Sequence, residues 1–302
     1  KTNNDFELFA VIKNQGAEQE NIPIAIFEDE TPIAKQSFSI DKNQTKTLRF
    51  PIQNRPNFHG KISFELDDVF SHDNSLFFAI KSDQKIKVLN LGKSADFLSK
   101  IYEKNEFDFS QSSVQNINYS SAENQNLIVL NELEEISNSL REFIVKFLKN
   151  GGSVVVIPNS EINMSSYNQL LKQLELSAIE KGPKDSLKIT NINYTHPFFK
   201  GVFEKTVQNF QYPYSLINFW IRTNTQNELL KLENKKAFIT AFPLGKASFY
   251  WVSSPLSLNN SNFINSPLVV PVFYNFAKNS LRNPATYSIL GTENTMDINT
   301  RI

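Results

Sequence analysis

The chain has 302 residues, with 31 Lys and Arg against 31 Asp and Glu, three His and no Cys. Its length predicts about two domains, and its zero net charge argues against a nucleic-acid binder, which needs a basic face. The absence of Cys excludes disulfides, thiolate metal sites, iron–sulfur clusters and a cysteine nucleophile.

The apolar runs are short, and none approaches the ~20 residues that span a bilayer. The chain begins at Lys1, without a Met or an apolar signal core. We therefore expect a soluble piece of a longer protein, or a mature form.

The first module, residues 1–83, carries strand patterns and no helical stretch. Alternation of apolar and polar residues is clearest where Phe38 and Ile40 follow Ser37 and Ser39. The predicted strands are 6–12, 22–27, 31–40, 45–52, 61–66 and 76–80. Short strands at regular spacing predict an immunoglobulin-like β-sandwich.

The segment 67–74 is the most polar part of this module, with three Asp, one His and one Asn. Oxygen ligands at close spacing are compatible with a calcium site. A turn, in which Asp and Asn side chains bond the nearby backbone, explains the same composition. We favour the turn because the segment lacks the glycine and the spaced acidic ligands of an EF-hand loop.

The second module, residues 84–282, alternates strands and helices. Strands are predicted at 85–91, at 126–130 and at 153–157, the last two of them buried, and another strand begins with 107–109. Helices are predicted at 95–104 and 139–149. We expect Ser94 to cap the first helix and Asn150-Gly151-Gly152 to end the second. Strand–helix–strand alternation with short links predicts a mostly parallel sheet.

A resemblance rests on residues 126–160, which read NLIVLNELEEISNSLREFIVKFLKNGGSVVVIPNS. This passage resembles the central part of a class I glutamine amidotransferase-like domain, and segments 195–205, 245–257 and 266–280 resemble its later parts. The resemblance implies a flavodoxin-like, three-layer α/β domain. The whole arrangement is similar to the soluble region of Bacteroidetes membrane proteins that begin with a BatA-type, aerotolerance-regulator domain.

The resemblance implies a Cys nucleophile after a buried strand, and this chain has none. Ser160 is a weak replacement, because its flanks lack the small residues of a strained elbow. Thr195-His196-Pro197 is interpreted as a turn, and His59 has no partner motif. We predict no catalytic residue, no cofactor and no metal.

A ligand pocket, if present, is expected where parallel strands end. The candidate residues there are Gly92, Asn131, Asn159 and Ser160. A second candidate surface is aromatic and contains Tyr212, Tyr214 and Trp220, within the segment 210–220. Core packing is the alternative that we prefer for these aromatic residues.

The predicted function is that of a non-catalytic, extracytoplasmic interaction or scaffold region of a membrane-anchored protein. The resemblance implies a periplasmic location at the inner membrane, anchoring segments outside this chain, and a link to aerotolerance or envelope stress. The expected partners are other envelope or membrane proteins, and no nucleic acid. The alternatives are a divergent hydrolase on an amidotransferase-like scaffold and a module that binds envelope glycans. Residues 283–302 are interpreted as a tail or the start of a further domain.

Overall fold

The structure is a computed structural model that describes residues 6–53, 58–64, 74–80, 85–103, 105–199, 211–223 and 225–281. The chain divides into two compact units, and Lys85 is the first residue of the second. The polar segment 67–74 lies outside the described residues except for Asn74, as does the predicted tail at 283–302.

The described strands of the first unit form two antiparallel sheets around one hydrophobic cluster. The strands are β1 Phe6–Lys13, β2 Gln19–Glu28, β3 Thr31–Ile40, β4 Thr45–Ile52, β5 Phe58–Phe64 and β6 Ser75–Ile80. One sheet has the order β3-β2-β5-β6, and the other pairs β1 with β4.

Alternation along these strands decides which side chains are buried. Leu48, Phe50 and Ile52 of β4 are buried, and the residues between them are exposed. A side-chain period of two places every second residue on the core face of a sheet. The link between β2 and β3 has two residues, and Asp29 in it has a φ of 50°, the left-handed conformation that tight hairpins require.

The second unit contains eleven of the described strands and all five of the described α-helices. Its strands are β7 Ile86–Gly92, β8 Phe107–Ser112, β9 Leu127–Leu133, β10 Ser153–Pro158, β11 Ile179–Lys181, β12 Leu187–Ile192, β13 Tyr214–Ser215, β14 Phe219–Ile221, β15 Glu228–Leu232, β16 Ala237–Leu244 and β17 Ala247–Val252. Its helices are α1 Asp96–Tyr102, α2 Tyr119–Ala122, α3 Asn138–Lys149, α4 Met164–Gln173 and α5 Val269–Asn279.

Nine of these strands form one mixed sheet, in the order β13-β12-β15-β16-β17-β10-β9-β7-β8. The four junctions from β17 to β8 are parallel. The four from β13 to β17 are antiparallel. Strand β17 is therefore the point at which the sheet changes from one kind of pairing to the other.

The prediction of a mostly parallel, amidotransferase-like three-layer domain is wrong. Half of the junctions in the sheet are antiparallel, and strands far outnumber helices among the described residues. The physical reason is the length of the links after β15. Two residues join β16 to β17, and four join β15 to β16, whereas a parallel pair needs a crossover of about a dozen residues or more.

The sheet has a hydrophobic cluster on each face. Residues of α1 and α5, among them Leu98 and Phe273, belong to one cluster. Residues of α3 and α4, among them Leu140 and Leu170, belong to the other. In the described part of the chain, every helix is too short or too polar to cross a membrane.

Two predicted helix ends can be compared with the structure. Helix α3 ends at Lys149, before the Gly151 whose φ of 86° suits a glycine. The predicted cap of α1 by Ser94 is wrong, because Ala95 stands at the cap position without a side-chain bond. Instead, the side chain of Gln111 on β8 accepts the Ala95 backbone N–H at 3.2 Å.

Candidate functional site

An open cavity of about 1150 Å³ lies at the carboxyl ends of the parallel strands in the second unit. The loops after β7, β8, β9 and β10 form most of its wall. Its polar and charged lining residues are Lys93, Ser113, Gln115, Glu132, Glu134, Glu135, Ser137, Glu161, Asn163 and Lys181. Ligands of open α/β sheets bind at this edge, outside the carboxyl ends of the strands.

Gly92 ends β7 and lines the cavity. Its φ is 113°, and a Cβ built on it would lie 2.4 Å from the Asn131 carbonyl oxygen. Only glycine fits, because both the backbone conformation and the close approach of the β9 backbone exclude a side chain.

Glu132 lies near the end of β9 and has a φ of 51°, which is unusual for a residue that is not glycine. Its side chain is only 7% exposed. One carboxylate oxygen accepts the backbone N–H groups of Leu256 and Ser257, at 3.0 and 2.8 Å. The other lies 2.8 Å from the Lys93 ammonium. The carboxylate therefore joins β9, the loop after β7 and the loop after β17.

The amide side chains predicted for this edge hold its loops in place. Asn131 is buried and donates to the Lys93 carbonyl at 2.7 Å. Asn159 donates to the Glu132 carbonyl at 3.1 Å and accepts the Glu161 backbone N–H at 3.0 Å. The Ser160 hydroxyl donates to the Asn159 side chain at 3.2 Å.

Helix starts supply one hydroxyl and one amide of the wall, those of Ser137 and Asn163. Ser137 accepts the Leu140 backbone N–H as the cap of α3, and Asn163 accepts the Ser166 N–H as the cap of α4. These side chains satisfy backbone donors at the helix ends.

Three carboxylates of the lining face solvent, those of Glu134, Glu135 and Glu161. Lys93 is engaged by Glu132, and Lys181 lies over the Phe219 ring, 5.8 Å from its centroid. The three exposed carboxylates outnumber the exposed Lys181 ammonium, so the open part of the cavity carries net negative charge. Across the described residues, no group of three or more His, Asp or Glu is arranged to hold a metal ion.

The structure places the three predicted aromatic residues in different surroundings. Tyr212 is 48% exposed, Tyr214 is half-buried, and Trp220 is only 6% exposed. The Lys236 ammonium lies 5.2 Å from the Trp220 ring centroid, and Gly182 contacts the far edge of the indole. Trp220 is thus a packing residue and offers no open face to a sugar.

His196 lies in the segment between β12 and the short helical turn Pro197–Phe199. Its Nδ1 accepts the Phe198 backbone N–H at 3.1 Å. Burial lowers the pKa of this imidazole, and a hydrogen bond to the Gln226 backbone opposes that shift. His196 does not line the cavity, so its role is to shape the local turn.

Sequence reasoning did not identify Glu132, Glu134, Glu135 or Glu161 as lining residues. The first three belong to the acidic run at the end of β9, and such a run is commonly a solvated loop. One usable signal was their position directly after a buried strand. Nothing in the sequence indicates that Glu132 turns inward, because its partners Leu256 and Ser257 are 124 and 125 positions away.

No protein-family model and no curated protein matches this chain. Among solved structures, the chain is similar to the cytoplasmic protein STM1381 of Salmonella typhimurium LT2. The identity is 11%, the match covers 65% of this chain and 100% of that chain, and the TM-score is 0.51. It is also similar to the cytoplasmic protein STM3548 of Salmonella typhimurium, at 14% identity, 64% and 98% coverage and a TM-score of 0.48.

The likeness to STM1381 concerns the fold alone, because 11% identity carries no information on function. The function of this chain has to be argued from its own side chains.

Proposed function

We propose that this chain is a non-catalytic interaction region of a longer, membrane-anchored extracytoplasmic protein. It binds a partner in the acidic cavity at the carboxyl ends of β7 to β10. The observation that carries the proposal is the state of Glu132. It is the most enclosed carboxylate of the wall, and both of its oxygens are engaged by Lys93 and by two backbone N–H groups.

The engaged groups support binding over catalysis. A general base must reach the proton that it removes, and Glu132 is held by the surrounding loops. The hydroxyl groups of Ser137 and Ser160 also make bonds within the fold. These engaged groups shape the wall, whereas the exposed carboxylates of Glu134, Glu135 and Glu161 remain available to a partner.

The chemistry of the partner follows from the charges that remain. Glu134, Glu135 and Glu161 face solvent, and a cationic segment of another envelope or membrane protein complements them. The similarity of the sequence to Bacteroidetes membrane proteins with a BatA-type domain supports a periplasmic site of action, linked to aerotolerance or envelope stress.

The test measures binding of a fluorescent peptide of alternating Lys and Ala to the intact chain. The triple variant Glu134→Gln, Glu135→Gln, Glu161→Gln removes the cavity charges. A matched triple variant, Glu103→Gln, Glu142→Gln, Glu175→Gln, removes three exposed charges that lie elsewhere on the second unit. We expect the cavity variant to bind about tenfold more weakly and the matched variant to bind almost as well as the parent. Equal losses in the two variants would contradict the proposal.

A hydrolase is the second candidate function, and the volume of the cavity favours it. A space of about 1150 Å³ admits a small substrate, and exposed carboxylates are available as acids or bases. Turnover of chromogenic ester, phosphate or glycoside substrates, lost in the single variant Glu134→Gln or Glu161→Gln, would favour the hydrolase over the binding region.

A further inference from the structure

Strand β1 of the first unit has an edge without a partner among the described residues and carries large apolar side chains that are exposed to solvent. Among the described residues, β1 pairs only with β4. Phe9 is 52% exposed and Val11 is 68% exposed. A strand edge of this kind is a template on which another strand can pair.

The direction of the free backbone groups follows from the β1–β4 register. Asn14 continues that register and donates its N–H to the Gln44 carbonyl at 2.9 Å. Backbone groups alternate in direction along a strand, so the even-numbered residues of β1 face β4. The N–H and C=O groups of Glu7, Phe9, Val11 and Lys13 therefore point to the outer edge.

The same four residues present a self-complementary row of side chains. All four are exposed. In chain order they are acidic Glu7, apolar Phe9, apolar Val11 and basic Lys13. If a second β1 runs antiparallel with Ala10 on the two-fold axis, Glu7 stands opposite Lys13 of the second copy. In that register Phe9 also stands opposite Val11 of the second copy.

We propose that two copies of this chain pair through the outer edges of β1, antiparallel, with Ala10 on the two-fold axis. The free hydrogen-bonding groups require odd-numbered residues to face odd-numbered residues. This register meets that requirement, and the charge row selects it among the registers that do. The pairing is isologous, because each surface meets itself, and it joins two β1–β4 pairs into one four-stranded sheet.

The side chains on the other face of β1 are compatible with this pairing. Leu8, Ala10 and Ile12 are half-buried and pack against the cluster of the first unit. They border an apolar groove of about 360 Å³ that is also lined by Leu76 and Phe78 of β6. The second strand would place its own Leu8 and Ile12 at the mouth of this groove.

The size of the edge predicts a weak dimer. An edge of eight residues buries less than a standard interface. Sedimentation of the full chain over a concentration series should therefore show a reversible monomer–dimer equilibrium, weakened by salt because Glu7 and Lys13 are exposed.

The decisive variants exchange the two charges. Glu7→Lys alone, or Lys13→Glu alone, places like charges opposite each other twice and should weaken the dimer at least about fivefold. The double variant Glu7→Lys, Lys13→Glu should restore it, and an equimolar mixture of the two single variants should form a heterodimer. All these changes are at exposed positions, so folding is preserved.

A second readout uses the absence of Cys. Facing residues of a non-hydrogen-bonded antiparallel pair have Cα atoms about 4.5 Å apart, within reach of a disulfide. Ala10→Cys should therefore give a disulfide-linked dimer under oxidation, whereas Thr47→Cys on β4 should not.

Three results would overturn the proposal. The first is a chain that stays monomeric across the concentration series. This result overturns the proposal whether or not another segment of the same chain protects the β1 amides from hydrogen exchange. The second is a dimer that is indifferent to the charge exchange, and the third is an Ala10→Cys variant that does not cross-link.

Discussion

The Glu132 carboxylate accepts the backbone N–H of Ser257 at 2.8 Å, across 125 positions of sequence. This bond ties the end of β9 to the loop that follows β17. It also helps to hold Glu132 in a left-handed conformation, which costs a residue with a side chain about 1–2 kcal/mol. The contact positions the wall of the cavity, and replacing Glu132 tests its contribution.

Replacing Glu132 with Ala should lower the free energy of unfolding of the second unit by about 3 kcal/mol. The backbone N–H groups of Leu256 and Ser257 lose their acceptor, and Lys93 loses its counter-ion. Urea unfolding followed by Trp fluorescence measures this, since both Trp residues lie in the second unit. Glu134→Ala, an exposed neighbour, is the control and should change the value by less than about 0.5 kcal/mol. A similar effect of both substitutions would contradict the role given to Glu132.

Replacing Gly92 with Ala should be more damaging than replacing Gly245 with Ala. Both glycines have positive φ, but a Cβ at Gly92 meets the Asn131 carbonyl, whereas a Cβ at Gly245 has nothing within 4 Å. Gly245→Ala should cost about 1 kcal/mol from backbone conformation alone, and Gly92→Ala about 3 kcal/mol or more. Thermal unfolding of the two variants under the same conditions compares them, and equal midpoints would show that the close approach at Gly92 is unimportant.

The two Trp residues should respond differently to replacement by Phe. Trp251 is buried, and its indole N–H donates to the Phe219 carbonyl at 2.7 Å. Within the described residues, the Trp220 N–H has no hydrogen-bond partner. Trp251→Phe should therefore cost about 2–3 kcal/mol, and Trp220→Phe about 1 kcal/mol or less, because it also removes an unpaired buried donor. Chemical unfolding of both variants, followed by far-ultraviolet circular dichroism, makes the comparison, and the reverse order would contradict it.

The stability of the second unit should decrease as the pH falls through the range in which histidine titrates. Burial lowers the pKa of His196 in the folded state, so the unfolded chain, with a histidine pKa of about 6.5, binds the proton first. The stability contributed by the neutral imidazole is complete above about pH 6.5 and is lost as the pH falls toward the folded-state pKa. Protonation of Nδ1 would also remove the acceptor of the Phe198 N–H.

The measurement compares unfolding at pH 7.5 and pH 5.5 in the parent chain, in His196→Gln and in His59→Gln. His59 is exposed on β5 and serves as the control. We expect His196→Gln to lose less stability than the parent between the two pH values, and His59→Gln to lose the same amount as the parent. Identical slopes in all three proteins would exclude His196 as the cause.

Local patterns predicted the six strands of the first unit and, in the second unit, β7 to β10, α1 and α3. Helix α3 follows directly from the helical spacing of Leu140, Phe143, Ile144, Phe147 and Leu148, all of which are buried. The strand at 153–157 follows from its continuous apolar run, which is buried along its whole length. Such elements carry their signal within a few residues, and distant partners do not alter it.

The same local patterns do not predict the order and direction of the strands in the sheet. The link between β16 and β17 has only two residues, Gly245 and Lys246, which is the length of a hairpin, and the prediction of a mostly parallel sheet did not include that hairpin. Register between distant strands, such as Val155 beside Tyr250, is set by burial and hydrogen bonding across the whole unit. No local pattern carries that information.

The candidate site also has one part that the local sequence predicts and one part that it does not. The position of Gly92 at the end of a strand can be predicted from its sequence neighbours. The inward turn of Glu132 cannot, because it depends on the loop after β17 reaching the end of β9.

The central position of β17 has a consequence for the order in which this chain folds during synthesis. Strand β10 has β9 on one side, which is made before it, and β17 on the other, which is made almost a hundred residues later. A nascent chain that has emerged only as far as α4 therefore exposes a fully apolar strand edge at Val154, Val155 and Val156. Edges of this kind promote aggregation. We therefore expect released fragments that end before residue 247 to need a chaperone more than released fragments that include β17 up to residue 252.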